Sequence, residues 1–205
     1  EAENLGGYEA LRSEILTLHP TILKLLGINT IVTLTPLEDW DINTSLFHTI
    51  KQDLLNLKKI GIFRHAQYPF EFHIYNVKSR EPSIRVIKSA ECAHGNYENE
   101  ISLLLSKRLK PADRVIINCT QDPGVVDRIN KSVPDLVQIK SGKIFGGQRI
   151  SVSANRSTFV AIRRQFINGS VSTLNGSDIE PIRADLIQQV FEIPPGNNLL
   201  ILKYP

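Results

Sequence analysis

The sequence predicts an α/β fold: a mixed, partly parallel sheet flanked by helices, with a β-hairpin-rich C-terminal third. Three observations predict it. Apolar residues at helical spacing alternate with β-branched runs over the first two thirds. A strand, helix, strand order covers residues 113–145, the grammar of a parallel crossover unit. Beyond it Gly146-Gly147, Asn168-Gly169 and Asn175-Gly176 punctuate alternating runs, as tight hairpin turns require. No linker composition interrupts the chain, so one domain over 1–205 is expected. Its natural sub-division is an α/β part, 1–135, and a basic hairpin-rich part, 136–205.

Each element follows from its residues. Leu11, Ile15, Leu18, Ile22 and Leu26 form a helical stripe over 8–27, broken at Pro20 and stopped by Gly27. The β-branched run 28–36 reads as a buried strand. A second helix is expected over 43–61, capped at Asn43 to Ser45, striped by Leu46, Phe47, Ile50, Leu54 and Leu57, and closed by Lys58, Lys59 and Gly61. Strands are expected over 70–77 and 83–90, around the turn at 78–82. A helix over 96–111 ends at Pro111, a strand follows over 113–119, and a helix over 124–133 leads to a strand over 135–145. Pro181 in the first turn marks a last helix over 180–191, ahead of a closing strand over 197–204.

Composition narrows the class of protein. The chain has 205 residues, 41% of them hydrophobic and 22% charged, enough to bury a core without staples. No apolar run approaches the roughly 20 residues that span a bilayer, so no membrane partner is expected. The two cysteines, Cys92 and Cys119, are too few for a disulfide framework, although they could form one bridge. They favour a cytoplasmic location. Six Asn-x-Ser/Thr triplets, at Asn43, Asn118, Asn130, Asn155, Asn168 and Asn175, keep secretion as the alternative.

The strongest functional signal is electrostatic. From Leu136 to Ser177 there is no Asp or Glu, while Lys140, Lys143, Arg149, Arg156, Arg163 and Arg164 are all basic. The chain carries +3 overall, and outside this block 18 basic residues face 21 acidic ones. The positive excess is therefore concentrated here, where arginine forks and lysines attract phosphates and other anions. Alternation places Arg149, Ser151 and Ser153 on one strand face and Ile150 and Val152 on the other. Phe145, Phe159 and Phe166 interleave as candidate stacking platforms for bases. The plainer alternative is a solvated edge kept charged against aggregation, with the phenylalanines in the core.

Weaker candidates lie upstream. Cys92 and His94 precede a predicted helix, where exposed amides and the helix dipole favour a thiolate nucleophile or a bound anion. The spacing from Cys92 to Gly95 resembles the phosphate loop of cysteine-dependent phosphatases. Glu91, however, stands where that loop has histidine and Glu98 where it has arginine, so phosphatase activity is not expected. Thr120 and Asp122 occupy a loop after a predicted strand, where open α/β sheets bind ligands. Cys92, His94, His65 and His73 lack metal-site spacing, and no metal or other cofactor is expected.

The leading expectation is a binding protein that holds nucleic acid or another polyanion on a basic hairpin surface. One alternative is a hydrolase of a phosphorylated or nucleic-acid substrate, using Cys92, His94 or Asp122. The other is a structural or assembly subunit whose basic face docks an acidic protein.

Overall fold

In a computed structural model, the structure describes Leu23 and residues 28–39, 57–64, 67, 70–77, 82–95, 97–105, 113–120, 124–132, 136–164, 170–186 and 188–203. The chain divides into two compact units, Glu1–Glu81 and Pro82–Pro205. The helix-flanked α/β expectation is overturned: 58% of the described residues are strand and 13% helix.

In the first unit, β1 (Thr30–Thr33), β2 (Lys58–Arg64) and β3 (Glu71–Asn76) form an antiparallel sheet in the order β1, β3, β2. Ile31, Tyr75 and Val77 are buried with Leu23 and Leu37. The strand expected over 28–36 shrinks to four residues, buried on one face only, with Val32 exposed on the other. Lys58, Lys59 and Gly61, expected to close a helix, lie in β2, with a register shift between Lys59 and Gly61. A chain paired to β3 on that side has its amides committed across the sheet, and helical capping by these lysines is lost. The helix expected over 8–27 lies outside the described residues except for Leu23, as do 43–56 of the second helix.

The second unit holds two sheets. The six-stranded sheet runs β4 (Ile84–Ile87), β9 (Thr158–Ile162), β13 (Gln188–Ile193), β12 (Ile182–Ala184), β6 (Arg114–Asn118), β5 (Ser89–Ala93). Its two edge strands, β4 and β5, are consecutive in sequence and separated only by Lys88. Two residues of chain span at most about 7 Å, so the sheet must curl until its edges approach each other there. Strands β5 and β6 are parallel and are connected through α1 (Tyr97–Leu105); the other pairs in this sheet are antiparallel. The five-stranded antiparallel sheet runs β11 (Ser177–Asp178), β10 (Val171–Leu174), β14 (Gly196–Lys203), β8 (Gly147–Ala154), β7 (Val137–Ile144).

The period-two rule of strands explains how these layers pack. Along β9, Val160 and Ile162 face Ile150, Val152, Leu200 and Leu202 of the five-stranded sheet. Phe159 and Ala161 point the other way, into a core with Ile87, Val115, Ile117, Val190 and, from α2 (Val125–Lys131), Val125 and Ile129. Covered on both faces, β9 is buried at all five positions. Sheet on sheet with a short helix behind is thus the architecture of this unit.

Several expectations within it need correction. The stretch 83–90 is not one strand but the whole of β4 and the start of β5, at opposite edges of the sheet. The strand, helix, strand unit over 113–145 is not a parallel crossover, because β6 and β7 belong to different sheets. The helix expected over 180–191 is the hairpin β12–β13. Asp185 and Leu186 take φ of 47° and 70° there, left-handed values that end a right-handed helix. A hairpin forms where Gly146-Gly147 was expected to turn, but its turn residues are Phe145 and Gly146, and Gly147 already pairs in β8. Asn168-Gly169 lies outside the described residues, and Asn175-Gly176 turns β10 into β11. At the latter, Asn175 and Gly176 have φ of 54° and 88°, as a two-residue turn of the primed type requires.

Candidate functional site

The five-stranded sheet presents one face to its neighbour and the other away from it. The cross-strand register sorts its side chains: Thr173, Ile201, Arg149 and Gly142 share one row, Leu199, Ser151 and Lys140 the next on the same face, and Asn197, Ser153 and Gln138 a third. Lys140 and Arg149 are therefore diagonal neighbours on the outer face, roughly 7 Å apart by sheet geometry. Both are exposed. Around them lies a shallow depression of about 400 Å³, lined by Gln138, Ser151, Ser153, Asn175 and Asn197. Asn175 is held in place there, donating from Nδ2 to Asn198 Oδ1 at 2.8 Å and accepting from the Leu199 amide at 2.8 Å.

The basic block does not gather in one place. Lys143 pairs with Gln148 on the opposite face, near the hairpin tip. Arg163 and Arg164 follow β9, both half-buried, with the Arg163 amide donating to Ser83 and the Arg164 guanidinium to the Lys203 carbonyl at 3.2 Å. Since Lys203 pairs with Gly147, Arg164 lies at the same end of the sheet as the hairpin tip. Arg156 is exposed in the turn after β8, at the far end. Among the described residues, Lys140, Lys143 and Arg149 have no carboxylate partner. Sequence reading did not include Lys203, which its register with Gly147 brings to this face. The aromatic platforms divide as well. Phe159 is fully buried, Phe145 is fully exposed, and Phe166 lies outside the described residues.

The weaker candidates are placed differently. Cys92 in β5 is bonded to Cys119, which follows the adjacent strand β6, so its sulfur is not available as a thiolate in this state. His94 is exposed, with Nε2 3.2 Å from Cys92 Sγ. Thr120 is engaged with the Asn118 side chain, donating from Oγ1 to Oδ1 at 2.6 Å. Asp122 lies outside the described residues.

A second polar cluster, buried, escaped sequence reading. Arg85 of β4 points into the core of the six-stranded sheet, donating to Asp185 Oδ2 at 2.8 Å and Gln188 Oε1 at 2.7 Å. The other Asp185 oxygen accepts from the Ile116 amide at 2.8 Å, and the Asp185 amide returns a bond to the Ile116 carbonyl. Glu100 of α1 accepts from the Leu186 amide, and burial pushes its carboxyl up to about 7. Nothing local in the sequence joins these four positions, which lie up to 103 residues apart. The Arg85–Asp185 pair is matched as buried charge requires, although Arg85 Nε and Glu100 Oε2 are buried without a hydrogen-bond partner among the described residues, and the cluster reads as the clasp between β4, β6, β12 and α1.

No protein-family model, curated protein or solved structure matches the chain. The functional reading therefore stands on the geometry above. Among the described residues, no helix is long and apolar enough to cross a membrane.

Proposed function

We propose that the outer face of the five-stranded sheet binds a polyanion, nucleic acid or another, with Lys140 and Arg149 at its centre. The observation that carries this reading is their adjacency in the register, without a carboxylate partner among the described residues and set among neutral hydroxyls and amides. Two cations among hydrogen-bonding groups suit the oxygens of a phosphate or sulfate chain: the charges supply affinity, and Ser151, Ser153, Gln138 and Asn197 orient the ligand. With Phe159 buried, base stacking contributes little on this face, and recognition rests on the backbone of the ligand rather than its sequence. Arg164 and Lys203 extend the positive field towards one end of the sheet.

Salt titration of single-stranded nucleic-acid binding tests it. Affinity should fall steeply with salt, and the double variant Lys140→Ala/Arg149→Ala should flatten the log–log slope by roughly 1.4, at about 0.7 per lost contact. An unchanged slope would overturn the proposal. Preferential binding of an acidic protein over nucleic acid and sulfated polymer would transfer the face to a protein partner.

A further inference from the structure

The end of the five-stranded sheet carries an arrangement that polyanion binding does not explain. The hairpin β7–β8 turns through Phe145 and Gly146, and Phe145 is fully exposed at its tip. Most turn chemistries fill such a position with a polar residue or proline. A phenylalanine there exposes a large apolar surface that the fold does not use. It does not stand alone. The last row of the sheet runs Val171, Lys203, Gly147, Ile144 across four strands, and both Val171 and Ile144 are exposed apolar residues. Lys143 lies in the adjacent row on the opposite face, and the Arg164 guanidinium, with Nε and Nη1 buried, is fixed at this end by its bond to the Lys203 carbonyl. The apolar tip, Ile144 and Phe145, is thus flanked by two lysines, Lys203 in the row of Ile144 and Lys143 on the other face of the same strand. Among the described residues, the carboxylate nearest that row is Glu180, which the bond from the Ile179 amide to the Ser172 carbonyl brings beside Val171; the Phe145 tip and Ile144 lie on the opposite edge of the sheet, away from it.

We infer that this end of the sheet docks on an anionic lipid surface, Phe145 and Ile144 entering the interface while Lys143 and Lys203 meet the headgroups. The flanking charge depends on the polyanion reading, whereas the apolar tip is independent of it. An aromatic and an aliphatic side chain on a rigid turn insert at headgroup depth, and neighbouring lysines keep their ammonium groups in the anionic layer. No spanning segment is needed for such contact. The weak affinity of one apolar wedge becomes appreciable only with the second, electrostatic signal, and both are present here. A nucleic acid has no use for Phe145 and Ile144 together with Val171, since isolated aliphatic side chains do not stack on bases.

The test uses the full chain with vesicles of phosphatidylcholine alone and of phosphatidylcholine mixed with phosphatidylserine. Sedimentation should show binding to the mixed vesicles only. Phe145→Ser should weaken it about tenfold, and Lys143→Ala about fivefold. Neither substitution touches a packed side chain, and unchanged thermal unfolding confirms the fold. In Phe145→Trp, with the emission of Trp40 subtracted by reference to wild type, the added indole should shift to the blue on mixed vesicles. Wild-type binding to vesicles that Phe145→Ser leaves unchanged, or an unshifted spectrum of the added indole, overturns the inference. If single-stranded nucleic acid binds and mixed vesicles do not, the lipid inference falls while the polyanion reading stands. If neither binds, both fall.

Discussion

Arg85 takes a full charge into the interior of the six-stranded sheet, and its stability there depends on Asp185. Replacing Arg85 by Leu strands the buried carboxylate and should cost about 3–5 kcal/mol in a denaturant melt, whereas the pair Arg85→Leu/Asp185→Asn should recover part of the loss. Glu100 is the titratable member of the cluster. Its carboxyl, near 4.5 when unfolded, is raised to about 7 in the folded state, chiefly by burial and against the opposing bond from the Leu186 amide. The folded state thus holds this proton more tightly. Its stabilisation is complete below pH 4.5 and is lost as pH rises through 7. Between acid and mildly alkaline solution, Glu100 should remove on the order of 3 kcal/mol. Glu100→Gln keeps an acceptor for the Leu186 amide and should flatten that dependence; an undiminished pH slope in the variant would assign it elsewhere. None of these residues is marked in the sequence. Arg85 sits in a strand that reads as ordinary alternation, and its partner lies 100 residues away.

The β7–β8 hairpin shows how far local pattern reaches and where it stops. Gly146 and Gly147 announced a turn that the structure places one residue earlier, at Phe145 and Gly146, and alternation assigned Arg149, Ser151 and Ser153 to one face, as the register has them. Gly147 serves a second purpose that only the neighbouring strand reveals: a Cβ there would run into the Leu202 carbonyl of β14. Gly147→Ala should therefore cost about 1–3 kcal/mol, the range of forced overpacking, and loosen the pairing that holds Lys203 beside the tip; hydrogen exchange in β14 would register it. The segment 180–191 failed in the opposite direction. Its apolar spacing and Pro181 suit a helix, but Gln188 to Ile193 are almost wholly buried between layers. A short, continuously buried run cannot be told from helix by periodicity. The left-handed turn at Asp185 and Leu186 is sustained by tertiary bonds to Ile116, Arg85 and Glu100.

Within the Pro82–Pro205 unit, cohesion comes from sheet-to-sheet packing and from a covalent tie between adjacent strands. The Cys92–Cys119 bridge closes a separation of 27 residues, for which chain entropy gives about 3.5 kcal/mol. Cys119→Ser, or reduction by dithiothreitol, should lower the melting temperature accordingly; equal melting with and without reductant would show the bridge to be energetically idle. Composition and charge order were enough to place a basic zone at 136–177 and to mark the C-terminal third as a set of hairpins, because both are properties of neighbouring residues. Strand content, the separation of β6 and β7 into different sheets and the dispersal of the six basic residues depend on pairings between distant segments. Hydrophobic periodicity carries no information about which strand lies beside which: Lys140 and Arg149 meet within one hairpin, but only the pairing of β8 with β14 sets Lys203 and the Arg164 guanidinium at the hairpin tip and leaves Arg156 at the far end.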